Sequence, residues 1–319
     1  MGGVRYGRPM GWVPVVDFAD QTTAMADIAA ACEAVGFFVL TGHGISDTTI
    51  ADAWNTATAF FDRPISDRMA VAMPYPGYPY GYSPVAGEAL AASLGQLGSA
   101  DLKESFAIGP VDAATHQFED ADEAFAWSPN RWPDEPCAMR AAWERYFREM
   151  TGLADRLLAT MAQALSMPPN YFSPLINRHT SAMRALRYPG NTEPGDGQMG
   201  AGAHTDYGTL TILLADPVQA GLQVQDLQGI WHNVDPLPGG LVVNLGDAMA
   251  RWTNDRWRST MHRVLVPRAQ RQSIAFFHNA NWDAVIECLP TCLADGESAT
   301  YAPMKAGPHL MHKFRSTVR

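Results

Sequence analysis

A strand-rich stretch between residues 204 and 273 places the strongest constraint on how this chain can fold. It contains His204 and Asp206, two residues apart, and His262 much later. Side chains in an extended strand repeat their direction every second residue, so we expect His204 and Asp206 to share one face. A second strand over residues 260–266 would add His262. The fold must therefore bring distant strands together around one divalent metal ion.

A third predicted strand adds an arginine and a hydroxyl with the same spacing. Arg271 and Ser273 offer a fork-shaped cation beside a hydroxyl, which suits a carboxylate held near the metal. Two histidines and one carboxylate, with the other positions of an octahedral ion open, are typical of non-haem Fe(II) oxygenases. An isolated H-x-D motif is common by chance, so the prediction depends on all five residues together.

Shorter motifs elsewhere connect this stretch to a known family. With them, the chain resembles the isopenicillin N synthase-like Fe(II)/2-oxoglutarate dioxygenases over nearly its whole length. The supporting motifs are Gly36-Phe37-Phe38, His43-Gly44-Ile45, Gly81-Tyr82-x-Pro84, Asp101-Leu102-Lys103-Glu104-x-Phe106 and Arg187-Tyr188-Pro189.

The resemblance implies a fold, a cofactor and a cosubstrate. The fold is mainly β with flanking helices, built on a distorted double-stranded β-helix, or jelly roll. Fe(II) would be bound by His204, Asp206 and His262, and the tail carboxylate of 2-oxoglutarate by Arg271 and Ser273. Tyr188 would contact a carboxylate of substrate or cosubstrate.

The family pattern also suggests how the chain is divided. We expect an α/β region over residues 1–175 that packs on the barrel, an oxygenase core over 176–285, and a tail or lid over 286–319. These regions would form one compact unit, because β-rich enzymes of this length are often single domains.

Composition narrows the partners and the compartment. Acidic residues outnumber basic ones by 33 to 23, giving a net charge of -10, and no basic block is present. Nucleic acid and anionic membranes are therefore not expected partners, which leaves a small-molecule substrate. Four cysteines are too few for a disulfide framework in 319 residues, and no signal peptide or apolar span is evident. We expect a cytoplasmic protein. The oligomeric state stays open.

Periodicity and capping signals predict the main elements. Helices are expected over residues 23–35, 46–61 and 141–165, and strands over 13–18, 37–40 and 182–188. Residues 73–84 hold many prolines and tyrosines, so a stiff loop is predicted there. Residues 90–134 are predicted to be irregular apart from 103–108.

Substrate contacts are harder to predict. The candidates are Tyr82, Arg187, His278 and His309, with Arg184 as a further cation that would suit a carboxylate. Asn244 or Asp247 would orient the two imidazoles from behind. Amino acids, peptides, β-lactam precursors and aromatic natural products all fit such a pocket.

Three other functions remain open at this point. Isopenicillin N synthase carries the same Arg-x-Ser signature yet uses no 2-oxoglutarate, so an Fe(II) oxidase or cyclase is possible. A zinc hydrolase also fits two histidines and one aspartate. A barrel that binds a ligand without catalysis is the third alternative. The main prediction is an oxygenase that uses Fe(II), 2-oxoglutarate and O2, hydroxylates its substrate, and releases succinate and CO2.

Overall fold

The computed structural model describes residues 11–75, 77–87, 100–190, 195, 197–294 and 296–317. The strands in this part of the chain are β1 (Val15–Asp17), β2 (Phe37–Thr41), β3 (Gly81–Ser83), β4 (Glu104–Ile108), β5 (Ala182–Tyr188), β6 (Ala201–His204), β7 (Leu210–Leu214), β8 (Leu222–Gln225), β9 (Trp231–Asn233), β10 (Leu241–Leu245), β11 (His262–Val264), β12 (Arg271–His278), β13 (Val285–Ile286) and β14 (Met304–Lys305). The helices are α1 (Ala24–Ala34), α2 (Asp47–Phe61), α3 (Ile65–Met69), α4 (Ala121–Ala126), α5 (Met139–Ala164), α6 (Ser173–Ile176), α7 (Asp247–Trp252) and α8 (Ala306–Thr317).

Two sheets form the core. The larger has the strand order β1-β2-β10-β7-β12-β5-β4-β3, and the smaller has the order β6-β11-β8-β9. Side chains of β5, β7 and β12 from the larger sheet and of β6, β8 and β11 from the smaller one line a common cavity. The expected mainly β core with flanking helices is confirmed. Strands β1 to β4 belong to the same sheet as the later strands, so the N-terminal region continues the core sheet.

The helices follow the local signals in the sequence. Helix α2 begins after Ser46, whose Oγ accepts a hydrogen bond from the Thr49 backbone N–H at 3.1 Å. Helix α5 buries one apolar stripe, including Trp143 and Leu153, and contacts α1, α2 and β12. Among the described residues, no helix combines the length and the apolar character needed to cross a membrane.

One glycine sets the turn from α1 into β2. Gly36 has a φ of +72°, and a Cβ at this position would lie 2.2 Å from the Arg258 carbonyl oxygen. Any other residue would be strained there and would collide with backbone. The helix therefore ends here, and the buried strand β2 can begin at once.

Three local predictions were wrong. Residues 81–83 form strand β3 within the segment 73–84 that was predicted to be a loop. Strand β6 ends at His204, so Asp206 lies in the turn that follows rather than on the same strand. Helix α4 occupies part of the stretch that was predicted to be irregular. It begins after Asp120, whose carboxylate accepts the Glu123 backbone N–H at 2.8 Å. Residues 90–99 of that stretch lie outside the described residues.

Candidate active site

The predicted metal ligands meet in the cavity between the two sheets. His204 and His262 lie directly opposite each other on the antiparallel strands β6 and β11. Each places its Nε2 near Oδ1 of Asp206, at 3.9 Å for His204 and 3.8 Å for His262. The three candidate ligand atoms all lie within 4.8 Å of one another. A single ion between them can contact all three.

Backbone carbonyls orient the two imidazoles. Nδ1 of His204 lies 2.7 Å from the Gly202 oxygen, and Nδ1 of His262 lies 3.0 Å from the Thr260 oxygen. A proton on each Nδ1 satisfies these contacts and leaves the Nε2 lone pairs directed at the ion position. The expectation that Asn244 or Asp247 orients the imidazoles was wrong, because the backbone two residues earlier does so.

Asn244 instead holds the carboxylate. Its Nδ2 donates to Oδ2 of Asp206 at 2.7 Å, and the Thr211 hydroxyl donates to the same oxygen at 2.6 Å. Both donors lie on neighbouring strands of the larger sheet, where Asn244 and Thr211 are paired in register. Asp206 therefore keeps Oδ2 occupied and presents Oδ1 to the two histidines. No sequence signal pointed to Thr211 beyond its position five residues after Asp206.

Burial and neighbouring charges set the ionisation of these ligands. Burial, followed by the charge of His262, lowers the pKa of His204 to about 4. Burial alone raises the pKa of Asp206, but His262, His204 and the hydrogen bonds from Thr211 and Asn244 bring it below the ordinary value. His204 is thus neutral and Asp206 ionised at neutral pH, which are the forms that bind a metal ion. Two imidazole nitrogens and one carboxylate oxygen form a donor set that fits Fe(II).

The predicted carboxylate-binding residues lie in the same cavity. Arg271 is 2% exposed and lies opposite Tyr188 on the neighbouring strand. Its guanidinium carbon is 4.9 Å from the centre of the Tyr188 ring, and its Nη1 is 3.5 Å from the Ser273 hydroxyl. All three side chains line the cavity. A buried guanidinium, a hydroxyl and a phenol thus form one polar corner that suits a carboxylate.

A buried ion pair forms another part of the wall. Lys103 lines the cavity, and its Nζ lies 2.6 Å from Oδ2 of Asp101, with both side chains 2% exposed. Oδ1 of Asp101 accepts the Gly202 N–H at 2.9 Å, which ties the pair to strand β6. The sequence motif around residues 101–106 pointed to this segment without indicating a role for Lys103.

Two predicted substrate contacts lie outside this cavity. Tyr82 donates to Oε2 of Glu104 at 2.5 Å, and Arg187 donates to Asp62 at 2.7 Å and to Gln270 at 2.8 Å. Neither is among the described residues that line the cavity. Arg187 and Tyr188 are consecutive in strand β5, so only one of them can face inward. Tyr188 does, which corrects the expectation for Arg187.

The two predicted histidine contacts are also absent from the lining in the described part of the chain. His278 is fully buried, and its Nδ1 lies 2.8 Å from the Thr209 hydroxyl, so it belongs to the core. His309 lies in α8, where Leu310, Met311 and Phe314 line the cavity instead. The last two residues of the expected lid, 318 and 319, lie outside the described residues.

Helix α8 covers one end of the cavity. Met311 and Phe314 pack with Phe125 and Trp282 in a small apolar cluster separate from the main cores. Gly307 lies against the Trp282 ring, where an added Cβ would come within 2.1 Å. The C-terminal helix therefore forms part of the cavity wall.

Comparison with family models gives two matches. Residues 171–280 match the model described as 2OG-Fe(II) oxygenase superfamily. Residues 13–135 match the model described as non-haem dioxygenase in morphine synthesis N-terminal.

Curated proteins of this kind are similar along most of the chain. The 2-oxoglutarate-Fe(II) type oxidoreductase hxnY of Emericella nidulans is 34% identical over 307 residues, covering 91% of this chain and 86% of that protein. A homoarginine-6-hydroxylase of Arabidopsis thaliana is 33% identical over 299 residues, covering 90% of this chain and 87% of that protein.

Solved structures agree with these matches. A full-length Neurospora crassa protein in complex with alpha-KG has a TM-score of 0.82 and 28% identity, covering 95% of this chain and 96% of that chain. JOX2 in complex with 2OG, Fe and JA has a TM-score of 0.79 and 26% identity, covering 95% of this chain and 85% of that chain. The matches support the 2-oxoglutarate-dependent reaction and give no support to the oxidase, cyclase or zinc hydrolase alternatives. The chain therefore belongs to the 2OG-Fe(II) oxygenase superfamily, and it is a dioxygenase that uses Fe(II), 2-oxoglutarate and O2.

Proposed function

We propose that this dioxygenase hydroxylates a small organic substrate inside the cavity between the two sheets. His204, Asp206 and His262 hold Fe(II), and Arg271, Ser273 and Tyr188 bind 2-oxoglutarate. The observation that carries this proposal is the approach of the three ligand atoms to within 4.8 Å of one another, in the same cavity as the buried Arg271. Bound together, the metal and the oxo acid supply the oxidising chemistry, with succinate and CO2 as coproducts.

The protein's own contribution to catalysis is position and charge. Arg271 is buried, so its guanidinium attracts a carboxylate in surroundings where water screens little. Ser273 adds a hydroxyl donor beside it, and Tyr188 places a ring against the guanidinium. Arg271, Ser273 and Tyr188 would thus hold the carboxylate tail of the cosubstrate in the cavity that also contains the metal ligands. Asp206 can offer only one oxygen to the metal, because Thr211 and Asn244 occupy the other.

The cavity size and lining favour a small substrate. Its volume is about 260 Å³, and most of the surface that lines it is apolar. Leu310, Met311 and Phe314 of α8 close one end. Enclosure of this kind excludes water from the reacting atoms and limits side reactions. Relatives named as a homoarginine hydroxylase and a proline hydroxylase support hydroxylation as the outcome.

The test is a screen of the Fe(II)-loaded protein against a metabolite library. Succinate release that needs O2 and rises with a compound identifies a substrate. Mass spectrometry with ¹⁸O₂ then separates the outcomes, because hydroxylation adds a labelled oxygen atom whereas desaturation or cyclisation does not. A product without the label would contradict hydroxylation, and Ala variants of His204 or Arg271 with full activity would contradict the assigned roles.

We also propose that residues 1–175, 176–285 and 286–319 are the N-terminal region, the oxygenase core and the lid of one compact unit. The shared larger sheet supports a single unit, because β3 and β4 pair through β5 with the core strand β12. Limited proteolysis that released a stable 176–319 fragment would contradict a single unit.

A further inference from the structure

A buried ion pair is connected to one of the two histidines in the candidate metal site. Nζ of Lys103 lies 2.6 Å from Oδ2 of Asp101, and Oδ1 of Asp101 accepts the Gly202 backbone N–H at 2.9 Å. The Gly202 carbonyl oxygen in turn lies 2.7 Å from Nδ1 of His204. A chain of three polar contacts therefore runs from the ion pair to the His204 imidazole.

The pairing of β6 explains why this contact is needed. In the described part of the chain, β6 is the end strand of the smaller sheet, with β11 as its neighbour. His204 lies opposite His262, and Ala201 lies opposite Val264. Strand β6 therefore has one residue more than β11 between these two pairs. Such a β-bulge takes backbone groups out of the ladder. Gly202 lies in the bulge and is buried, so its N–H needs an acceptor from outside the sheet.

The segment before β4 is docked beside this bulge by further contacts. The Leu102 backbone N–H donates to the Met199 carbonyl oxygen at 2.9 Å, and the Gln198 side chain donates to the Ala100 oxygen at 3.3 Å. Asp101 is 2% exposed. A hydrogen bond to a carboxylate that is shielded from water is stronger than one at the surface. Asp101 is therefore a fixed acceptor held against β6.

The two histidines differ in how their orienting residue is held. Thr260, whose carbonyl oxygen orients His262, also donates its hydroxyl to a carbonyl oxygen in the turn between α1 and β2 at 2.6 Å. Gly202, whose carbonyl oxygen orients His204, has no side chain that could make such a contact. The Asp101 carboxylate fixes Gly202 from outside, as the hydroxyl fixes Thr260 from within.

Loss of the Asp101 acceptor would disturb the His204 ring through the backbone. A buried N–H without a partner costs free energy, so the backbone at Gly202 would turn toward another acceptor or toward water. The Gly202 carbonyl oxygen would then leave its place beside Nδ1 of His204. The orientation of an imidazole ligand depends on the hydrogen bond at its other nitrogen, so Nε2 would be aimed less well at the ion position.

We propose that Asp101, held by Lys103, is a positioning residue for the metal ligand His204 and acts through the backbone of Gly202. This proposal rests on the proposed function, because it takes His204 as a ligand of the metal. Lys103 holds one oxygen of the Asp101 carboxylate, and the other oxygen holds the bulge. The ion pair thereby keeps the His204 ring in the orientation that binds the ion.

Two double variants separate this role from a general effect on the fold. Asp101→Asn/Lys103→Met keeps an oxygen that can accept the Gly202 N–H, whereas Asp101→Leu/Lys103→Met has a side chain of similar shape without an acceptor. Both remove the two charges together, and replacement of a buried ion pair by uncharged groups of similar volume is often neutral for stability. Asp101→Val/Lys103→Met also lacks the acceptor and is used if the leucine variant does not fold.

The experiment measures the metal site without turnover. Co(II) binding to the full chain is measured by calorimetry, and the unfolding temperature of each variant is recorded. Proton NMR of the Co(II)-loaded protein then follows the Nδ1–H of each histidine ligand. The paramagnetic ion shifts these resonances far downfield, they disappear in heavy water, and nuclear Overhauser effects assign each one to its histidine. The wild-type protein should show one such resonance for His204 and one for His262.

The variant without an acceptor should change one histidine only. Asp101→Leu/Lys103→Met should bind Co(II) about tenfold more weakly. Its His204 resonance should shift and exchange faster with water, whereas its His262 resonance should match the wild type, because Thr260 orients that ring. Asp101→Asn/Lys103→Met should keep the wild-type affinity and both resonances, even if its unfolding temperature is the lower of the two.

Three results would overturn the proposal. These are wild-type Co(II) affinity or an unchanged His204 resonance in Asp101→Leu/Lys103→Met, equal losses of affinity in the leucine and asparagine variants, and equal changes of both histidine resonances. Absence of Co(II) binding by the wild-type protein would contradict the metal assignment itself, and this proposal with it.

Discussion

The two ends of the cavity are built in different ways. At the metal end, short hydrogen bonds hold each ligand. The donors to Asp206, Thr211 and Asn244, are buried residues of the larger sheet, and a backbone carbonyl oxygen orients each histidine. At the other end, helix α8 rests on a small apolar cluster, and its charged residues form exposed ion pairs such as Arg315 with Asp122. Buried hydrogen bonds fix geometry closely, whereas exposed ion pairs contribute little to stability. The metal end is therefore held in one geometry by its hydrogen bonds. Substitutions of the exposed charged residues at the α8 end are expected to cost little stability.

The largest effect is expected from removing a metal ligand. His204→Ala or Asp206→Ala should reduce Fe(II)-dependent succinate formation below detection, because the ion loses a protein ligand at the centre of the site. Circular dichroism and the unfolding temperature of His204→Ala should remain close to wild type. Asp206→Ala should lower the unfolding temperature, because the buried Thr211 and Asn244 donors lose their acceptor. Full activity in either variant would contradict the metal assignment.

Replacement of the buried Arg271 should have the next largest effect. Arg271→Gln should raise the 2-oxoglutarate concentration needed for half-maximal succinate formation by about thirtyfold or more, since loss of a buried charge partner costs about 2–5 kcal/mol. Arg263→Gln is a matched control, because its guanidinium contacts Gln223 and the Trp231 ring instead. An unchanged requirement in Arg271→Gln would show that another group binds the cosubstrate.

Substitution of the residues that hold Asp206 should have a smaller effect on the metal site. Thr211→Val or Asn244→Leu should weaken Co(II) binding, measured by calorimetry, by about tenfold to a hundredfold. Each change removes one of the two donors to Oδ2 and therefore holds the carboxylate less firmly. Thr211→Ser keeps the hydroxyl and should bind Co(II) like the wild type. If Thr211→Val and Asn244→Leu also bound Co(II) with wild-type affinity, the backbone alone would fix the carboxylate.

The smallest effect is expected at the helix end. Met311→Ala should lower the unfolding temperature by a few degrees, because it removes a 5% exposed side chain from the cluster under α8. Its Co(II) affinity should equal that of the wild type. Met25→Ala, at a 43% exposed position, is the control for a methionine without this packing. A loss of metal affinity in Met311→Ala would show that the two ends are coupled.

The metal end could be predicted from sequence because its chemistry depends on a few residue types at fixed spacing. His204, Asp206, His262, Arg271 and Ser273 all lie in the one cavity, as expected. The reason given for Asp206 was wrong, since β6 ends before it and the turn brings it to Thr211 and Asn244. Asn244 lies 38 residues from Asp206 in sequence, and no local pattern reveals such a contact.

The lining of the α8 end of the cavity was harder to predict, because strand register and the packing of α8 decide which side chains face the cavity. Strand parity offers one usable signal: if Tyr188 faces inward, then Arg184 does too and Arg187 does not. A prediction that treats both arginines alike misses this difference. His278 follows the same rule on β12, because it lies an odd number of residues after the inward-facing Arg271 and Ser273 and therefore faces away from the cavity. For His309 no parity rule was available, because its placement depends on packing within α8.

The stoichiometry of O2 consumption tests the central claim most directly. An oxygen electrode combined with succinate quantification is applied to the metal-free protein after addition of Fe(II) or Zn(II), with and without 2-oxoglutarate. After subtraction of the O2 that Fe(II) consumes in buffer without protein, we expect equimolar O2 loss and succinate formation with Fe(II) and 2-oxoglutarate together. We expect neither when one of them is omitted or when Zn(II) replaces Fe(II). Oxygen consumption that continues without 2-oxoglutarate would contradict the central claim.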